Sequence, residues 1–254
     1  MRLQVVSMSV VLMATPVVAA EKPAPVIINV TEAANLRALA DRAGYDGRAE
    51  AVYAFVVPKD AVIMGTAGTN GRDAGPGIDT GKWPQGAAVA LVIYGQVYGG
   101  GGAGGQGGNT PTPQPGGKGG DAINIQTSMA LSILEGAAIY GGGGGGSGGP
   151  GGPGIGGSGG GGGAPNGLPG DPGMPEAMDA SLFKASEFGV SGQRGAISVG
   201  GLGGRKGGTG GNGGNPGMQG QDGARTGGRP GLALRLNGYR VELTKKGKII
   251  GEVE

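Results

Sequence analysis

Asp73 and Asp79 stand close together and are the best-placed carboxylates for general acid–base work. Both fall in the glycine-rich stretch Gly65–Gly81, where aspartate more commonly forms turns through its side chain. Gly81-Lys82 has the end of a phosphate-binding loop, but Trp83 stands where Ser or Thr must hold magnesium and Pro76 stands where the first glycine belongs. Gly116 to Asn124 fits one copy of a calcium-binding nonapeptide. That site shares each ion between stacked turns, so a single copy does not make it. The chain has no histidine and no cysteine. Imidazole relays, thiolate nucleophiles and Cys/His metal centres are therefore excluded. The residues point to no catalytic set, no metal and no cofactor.

The elements that must position any site are unusual. Of 254 residues, 66 are glycine and 17 proline, while aromatics make up 4% and charged residues 15%. There are too few large side chains for a conventional core of this length, so much of any order must come from backbone contacts. Net charge is +2, with no basic run interleaved with aromatics, and nucleic acid is not an expected partner.

Composition marks glycine-rich tracts at 99–120, 141–175 and 200–231, with ordinary composition at 1–98 and 121–140, mixed composition at 176–199 and a strand-like tail at 232–254; the domains expected are 1–25, 26–98, 99–231 and 232–254. Residues 1–25 read as a strand or attachment segment more readily than as a signal peptide. Arg2, the apolar run Val10–Val18 and Val18-Ala19-Ala20 nevertheless meet a signal's layout loosely. Residues 26–98 read as a β-rich domain, with strands over Val26–Val30, Ala51–Val57, Ala61–Met64 and Ala87–Tyr94. A short helix is expected over Glu32–Ala43, ended by Gly44. Trp83 reads as a packing residue more than as a binding one.

A repeat runs across these divisions. Val89–Gly99, Ala130–Gly141 and Val241–Gly251 are each an alternating strand, a glycine turn, a short return and a second glycine. Alternation turns one face of each inward, and three stacked copies would bury faces that none can bury alone. The first two run directly into glycine tracts, and Tyr98 and Tyr140 hold equivalent places beside them. The tracts lack collagen's strict third-position glycine. Two possibilities remain open on the residues alone. One is flexible linker; the other is side-by-side packing of extended threefold helices, which only glycine lets approach closely enough for their backbones to pair.

The run Ile28-Asn29-Val30, Asn35-Leu36, Gly44-Tyr45, Ile78-Asp79-Thr80-Gly81 and Gly95-Gln96-Val97-Tyr98-Gly99 resembles a domain of bacteriophage tail-tip and tail-fibre proteins. Gly119-Gly120-Asp121-Ala122-Ile123-Asn124-Ile125, then Ile139-Tyr140-Gly141 and a pure glycine run, is similar to the receptor-recognising adhesin of T-even-like long tail fibres. The resemblance covers roughly residues 26–254. It implies a mostly β, glycine-rich fold: short β strands in the N-terminal region plus a packed bundle of polyglycine II helices over 99–231. It implies a non-enzymatic virion tail protein that binds a host outer-membrane protein or lipopolysaccharide and contacts other phage tail proteins. The alternative is a secreted glycine-rich structural protein of a bacterial envelope or matrix.

A glycine bundle offers few side chains, so recognition is expected in the connections between tracts. Asn109 to Pro115 is proline-stiffened and polar, which makes Thr110, Pro111 and Gln114 candidates. Residues 176–199 carry Phe183, Lys184, Phe188 and Arg194, and aromatics and arginine are enriched in binding hot spots. Phe183 and Phe188 could equally close a small satellite core.

Overall fold

A computed structural model describes residues 24–175, 184 and 187–254. The expected N-terminal segment lies outside these residues except for its last two. In chain order the elements are β1 (Val26–Asn29), β2 (Ala34–Asn35), α1 (Leu36–Arg42), β3 (Val52–Val57), β4 (Val62–Met64), β5 (Ile78–Asp79) and β6 (Ala88–Ile93). They continue with β7 (Gln96–Tyr98), β8 (Ile123–Asn124), β9 (Met129–Ile133), β10 (Ala138–Tyr140), β11 (Leu234–Arg235), β12 (Val241–Lys245) and β13 (Lys248–Ile250).

The strands form three parallel sheets, ordered β1-β3-β6-β9-β12, β4-β7-β10-β13 and β2-β5-β8-β11. The chain visits the first face, then the second, then the third, and repeats, so successive coils stack into a three-sided prism. Burial alternates along β3, β6 and β9, as the period-two pattern requires. Phe55, Leu91 and Leu131 are aligned in neighbouring strands and fully buried, as are Ile63, Val97 and Ile139 on the second face. Each large apolar side chain so withdrawn contributes roughly 1.5–3 kcal/mol. The glycine inside each repeat marks the corner between first and second faces. A Cβ on Gly95 would strike the Pro58 and Ala61 carbonyl oxygens of the coil beneath, and one on Gly247 would lie 2.5 Å from the Leu134 oxygen.

Helix α1 covers one end of the prism with Leu36 and Ala40. The Asn35 side chain accepts from the Ala38 N–H at 3.0 Å, and Gly44 follows the helix at φ +93°. The helix is shorter than the expected Glu32–Ala43 because Ala34 and Asn35 pair with Ile78 and Asp79 instead. Trp83 packs: its Nε1–H donates to the Thr80 carbonyl at 2.8 Å, and its ring lies 5.1 Å from Tyr45 and 5.5 Å from Tyr53.

Between the second and third faces, every full coil carries an insertion. These are residues 65–77, 99–122 and 141–233, each longer than the last. The divisions expected at 98/99 and 231/232 do not separate strands from tracts. Strands β8, β9 and β10 lie within 99–231 and pair with strands from both flanking regions. Strands also form over the repeats Ala130–Gly141 and Val241–Gly251, because the glycine tracts are insertions at one corner of a continuing stack.

Among the described residues the tracts contain neither helix nor sheet strand, yet they are densely paired. In 141–149, Gly142, Gly145 and Gly148 donate to Gly120, Gly117 and Gln114. Gly143, Gly146 and Gly149 donate to Ala164, Gly161 and Ser158, and Gly144 and Ser147 to Met218 and Gln221. Its carbonyls accept from 102–108, 211–217 and 224–231. The segment therefore has six neighbours, three reached by its N–H groups and three by its carbonyls, with a period of three residues. Residues 141–149 are all buried. Ser147 and Ser158, which a linker would leave in water, are fully buried; their hydroxyls accept from backbone N–H groups of Arg225, and of Val190 and Lys206.

Candidate functional site

The carboxylates single out no reaction centre. Asp79 accepts from the side-chain amides of Asn35 (3.1 Å), Asn124 (2.8 Å) and Gln126 (2.9 Å) and from the Gly81 N–H (2.8 Å). Those donors fill its acceptor positions and make it a rung in a polar ladder on the third face. Asp121, the aspartate of the nonapeptide match, takes Arg235 Nε at 2.5 Å and the Leu232 N–H at 2.9 Å. It fastens the end of the longest insertion back onto the prism.

Tract direction decides which connections meet. Residues 99–108 lead away from the prism and 114–122 return. Gly104 and Gly107 donate to Leu168 and Asp171, so 167–173 also lead outward. Gly189, Gly192 and Gly195 donate to Gly173, Gly170 and Gly167, so 189–195 return. The proline-rich connection and the start of the 174–188 connection therefore share the far end. They touch: the Thr110 N–H donates to the Met174 carbonyl at 3.2 Å and the Met174 N–H to Thr110 at 3.0 Å. Asn109 Nδ2 adds bonds to the Gly152 (2.9 Å) and Ile155 (3.0 Å) carbonyls, tying in a third connection.

Thr110 and Pro111 are exposed at this end. Lys184 is exposed on the 174–188 connection, its N–H held by the Glu187 carboxylate at 3.1 Å, and Phe188 is half-buried. Phe183 lies outside the described residues. One candidate lies toward the prism, and Gln114 sits level with Gly148 on the flank. Arg194 is near the inner end of its returning tract, donating to the Asn166 carbonyl at 3.2 Å. Asn166 in turn bonds Gly65 and Gly101, next to the prism. Gln114 is half-buried at the start of its tract and lines the flank of the array.

Sequence reasoning missed the far-end connections 150–155, 205–207 and 222–226. Their level is set by Asn109 on Gly152, by Ser158 on Lys206 and by Ala224 on Gly148. Counting chain reversals from Gly99 onward would have found them, since the direction of travel alternates at each break in the glycine run.

A glycine array standing on a strand prism, with connections that carry side chains at its far end, is a scaffold for presentation. A family model described as GP38, phage tail fibre adhesin, matches residues 24–254. The chain belongs to this family. It is a tail-tip adhesin of the phage virion, which displaces the alternative of a secreted envelope or matrix protein. No curated protein matches the adhesin. A solved structure, described as the gp37-gp38 adhesin tip complex of the bacteriophage S16 long tail fiber, is similar to it. That likeness has a TM-score of 0.58 and 23% identity, over 90% of this chain and 82% of that one, and concerns the fold.

Proposed function

We propose that the adhesin binds its host receptor, an outer-membrane protein or lipopolysaccharide, through the far-end connections and without catalysis. The tracts are read as polyglycine II helices in a hexagonal array: three residues per turn, no internal hydrogen bonds, and all pairing between neighbours. Such an array is rigid and chemically blank, so specificity falls to the loops it holds. The observation that carries the reading is the Thr110–Met174 pair, which joins two side-chain-bearing connections at the end farthest from the strands. The opposite end, the prism, is the part left to engage other tail proteins. The similar solved structure, a complex of two tail-fibre proteins, supports a tail-protein partner.

Two sets of alanine substitutions test it: Thr110 with Pro111, and Phe183 with Lys184 and Phe188. Phage carrying either set should adsorb poorly while the purified protein's melting temperature hardly moves. Arg194→Ala, near the prism end of the array, should adsorb normally. Normal adsorption by both sets with an intact fold rejects the far end as the receptor site. A large drop in melting temperature for the second set assigns Phe183 and Phe188 to a satellite core instead.

A further inference from the structure

The shortest insertion leaves a gap in the array. Gly100 donates to the Gly75 carbonyl at 3.0 Å, and Gly101 accepts from Gly68 at 2.8 Å, so the two arms of the 65–77 hairpin, which pair with each other through Gly75 and Thr66, occupy two neighbouring rows. One turn further out the hairpin has ended. A threefold backbone points the Ala103 N–H toward the row that the 72–77 arm has left and the Gly104 carbonyl toward the row that the 65–69 arm has left. Both residues are buried, and among the described residues neither group has a hydrogen-bond partner. The space beyond the hairpin tip is a groove of about 760 Å³ on the flank of the array, within the range of small-ligand sites.

Three cations line it, Arg72, Lys118 and Arg229, against one carboxylate, Asp73. None of the three enters an ion pair among the described residues. No aromatic ring and no large aliphatic side chain lines the groove, which disfavours acyl chains and apolar peptides. The cations supply charge-assisted donors of the kind phosphate oxygens take. The Gln114 amide and the two free backbone groups supply the mixed donors and acceptors that sugar hydroxyls need.

We propose that this flank groove holds a phosphate-bearing saccharide, with Arg72, Lys118 and Arg229 on the phosphate and Gln114, Ala103 N–H and Gly104 C=O on the hydroxyls. The proposal rests on the receptor-binding reading but places a second contact away from the far-end loops. Calorimetric titration of the full chain tests it, using three probes: a phosphorylated core oligosaccharide of lipopolysaccharide, the same oligosaccharide after dephosphorylation, and inorganic phosphate. The phosphorylated probe should bind, more weakly as salt rises. Losing two charge-assisted contacts should weaken it about tenfold or more, whether by dephosphorylation or by Arg72→Ala with Arg229→Ala at unchanged melting temperature. Equal binding of both oligosaccharides, or no effect of the double substitution, overturns the proposal. Inorganic phosphate binding as tightly as the oligosaccharide overturns the saccharide part, leaving a simple anion site. The Thr110 and Pro111 substitutions should leave oligosaccharide binding unchanged. Lost adsorption in those variants without any oligosaccharide binding by the wild type would reject the groove and keep the far-end reading.

Discussion

Gly143→Ala isolates the packing of the tracts from everything else in the molecule. A Cβ there would overlap the Gly214 carbonyl oxygen and sit 2.6 Å from that of Asn215, whereas real β-carbons stay beyond 3.0 Å. The obstacles are backbone atoms held on their other sides, so the 208–214 tract must move as a unit. Three bonds meet at that point: Gly143 to Ala164 (2.8 Å), Gly214 to Gly144 (2.7 Å) and Ala164 to Gly214 (3.0 Å). Losing them at about 0.5–1.5 kcal/mol each, with overpacking of about 1–3 kcal/mol, gives a cost of roughly 3–7 kcal/mol. The lower backbone entropy of an unfolded chain with alanine returns only about 0.4–1 kcal/mol. Against a total stability of ~5–15 kcal/mol, and at ~2–4 °C per kcal/mol for a chain of this size, melting should fall by roughly 4–26 °C. Gly152→Ala is the control: it lies in a far-end turn, and its nearest obstacle is the Ile155 Cγ2 at 3.6 Å. It should melt with the wild type. Calorimetric melts of the three proteins decide the matter; coincident transitions would show that the tracts do not bear on each other as described.

Two further outcomes follow from side chains at the prism. Arg235→Met removes the clamp on Asp121, which keeps only the Leu232 N–H, and should cost about 1.5–3 kcal/mol, read as a lower urea midpoint at unchanged slope. Tyr98 stacks on Tyr140 with centroids 4.3 Å apart, and burial, then the neighbouring Tyr140, pushes its hydroxyl up to about 12. The folded state thus holds a proton that the unfolded chain releases near its usual value of 10.0. Stability should be full below that value and should fall as pH rises through about 12. Tyr98→Phe should flatten this alkaline loss in melts followed by tyrosinate absorbance.

Much of the prism was legible in the sequence. The three repeats pair in register, Leu91 with Leu131 and Leu131 with Leu243, because alternation and a corner glycine both leave a mark on composition. A fourth copy, Val52 to Gly65, escaped notice because Pro58–Ala61 turns the corner that a single glycine turns elsewhere. The third face was illegible: its strands are two residues long, too short to alternate. In hindsight they share one mark, with Ile78, Ile123 and Leu234 followed by Asp79, Asn124 and Arg235. At the far end, proline and polar content correctly marked Thr110 and Pro111 as exposed. That Arg194 lies toward the prism was not legible, because composition carries no information about which way a glycine tract runs.

The sixfold surroundings of residues 141–149 also govern how the molecule bears a load. A hairpin pulled apart from its open end breaks its hydrogen bonds one at a time, like a zip. A tug on the Thr110–Met174 loops, by contrast, is directed along the tracts and across bonds that all lie side by side. The rows that carry those loops must slide past all their partners at once, and they lie against the segment that is gripped from six sides. Rupture under force is governed by the rate of unfolding, and a shear geometry with parallel bonds keeps that rate low. The array is accordingly suited to carrying tension between its far-end loops and the prism without stretching.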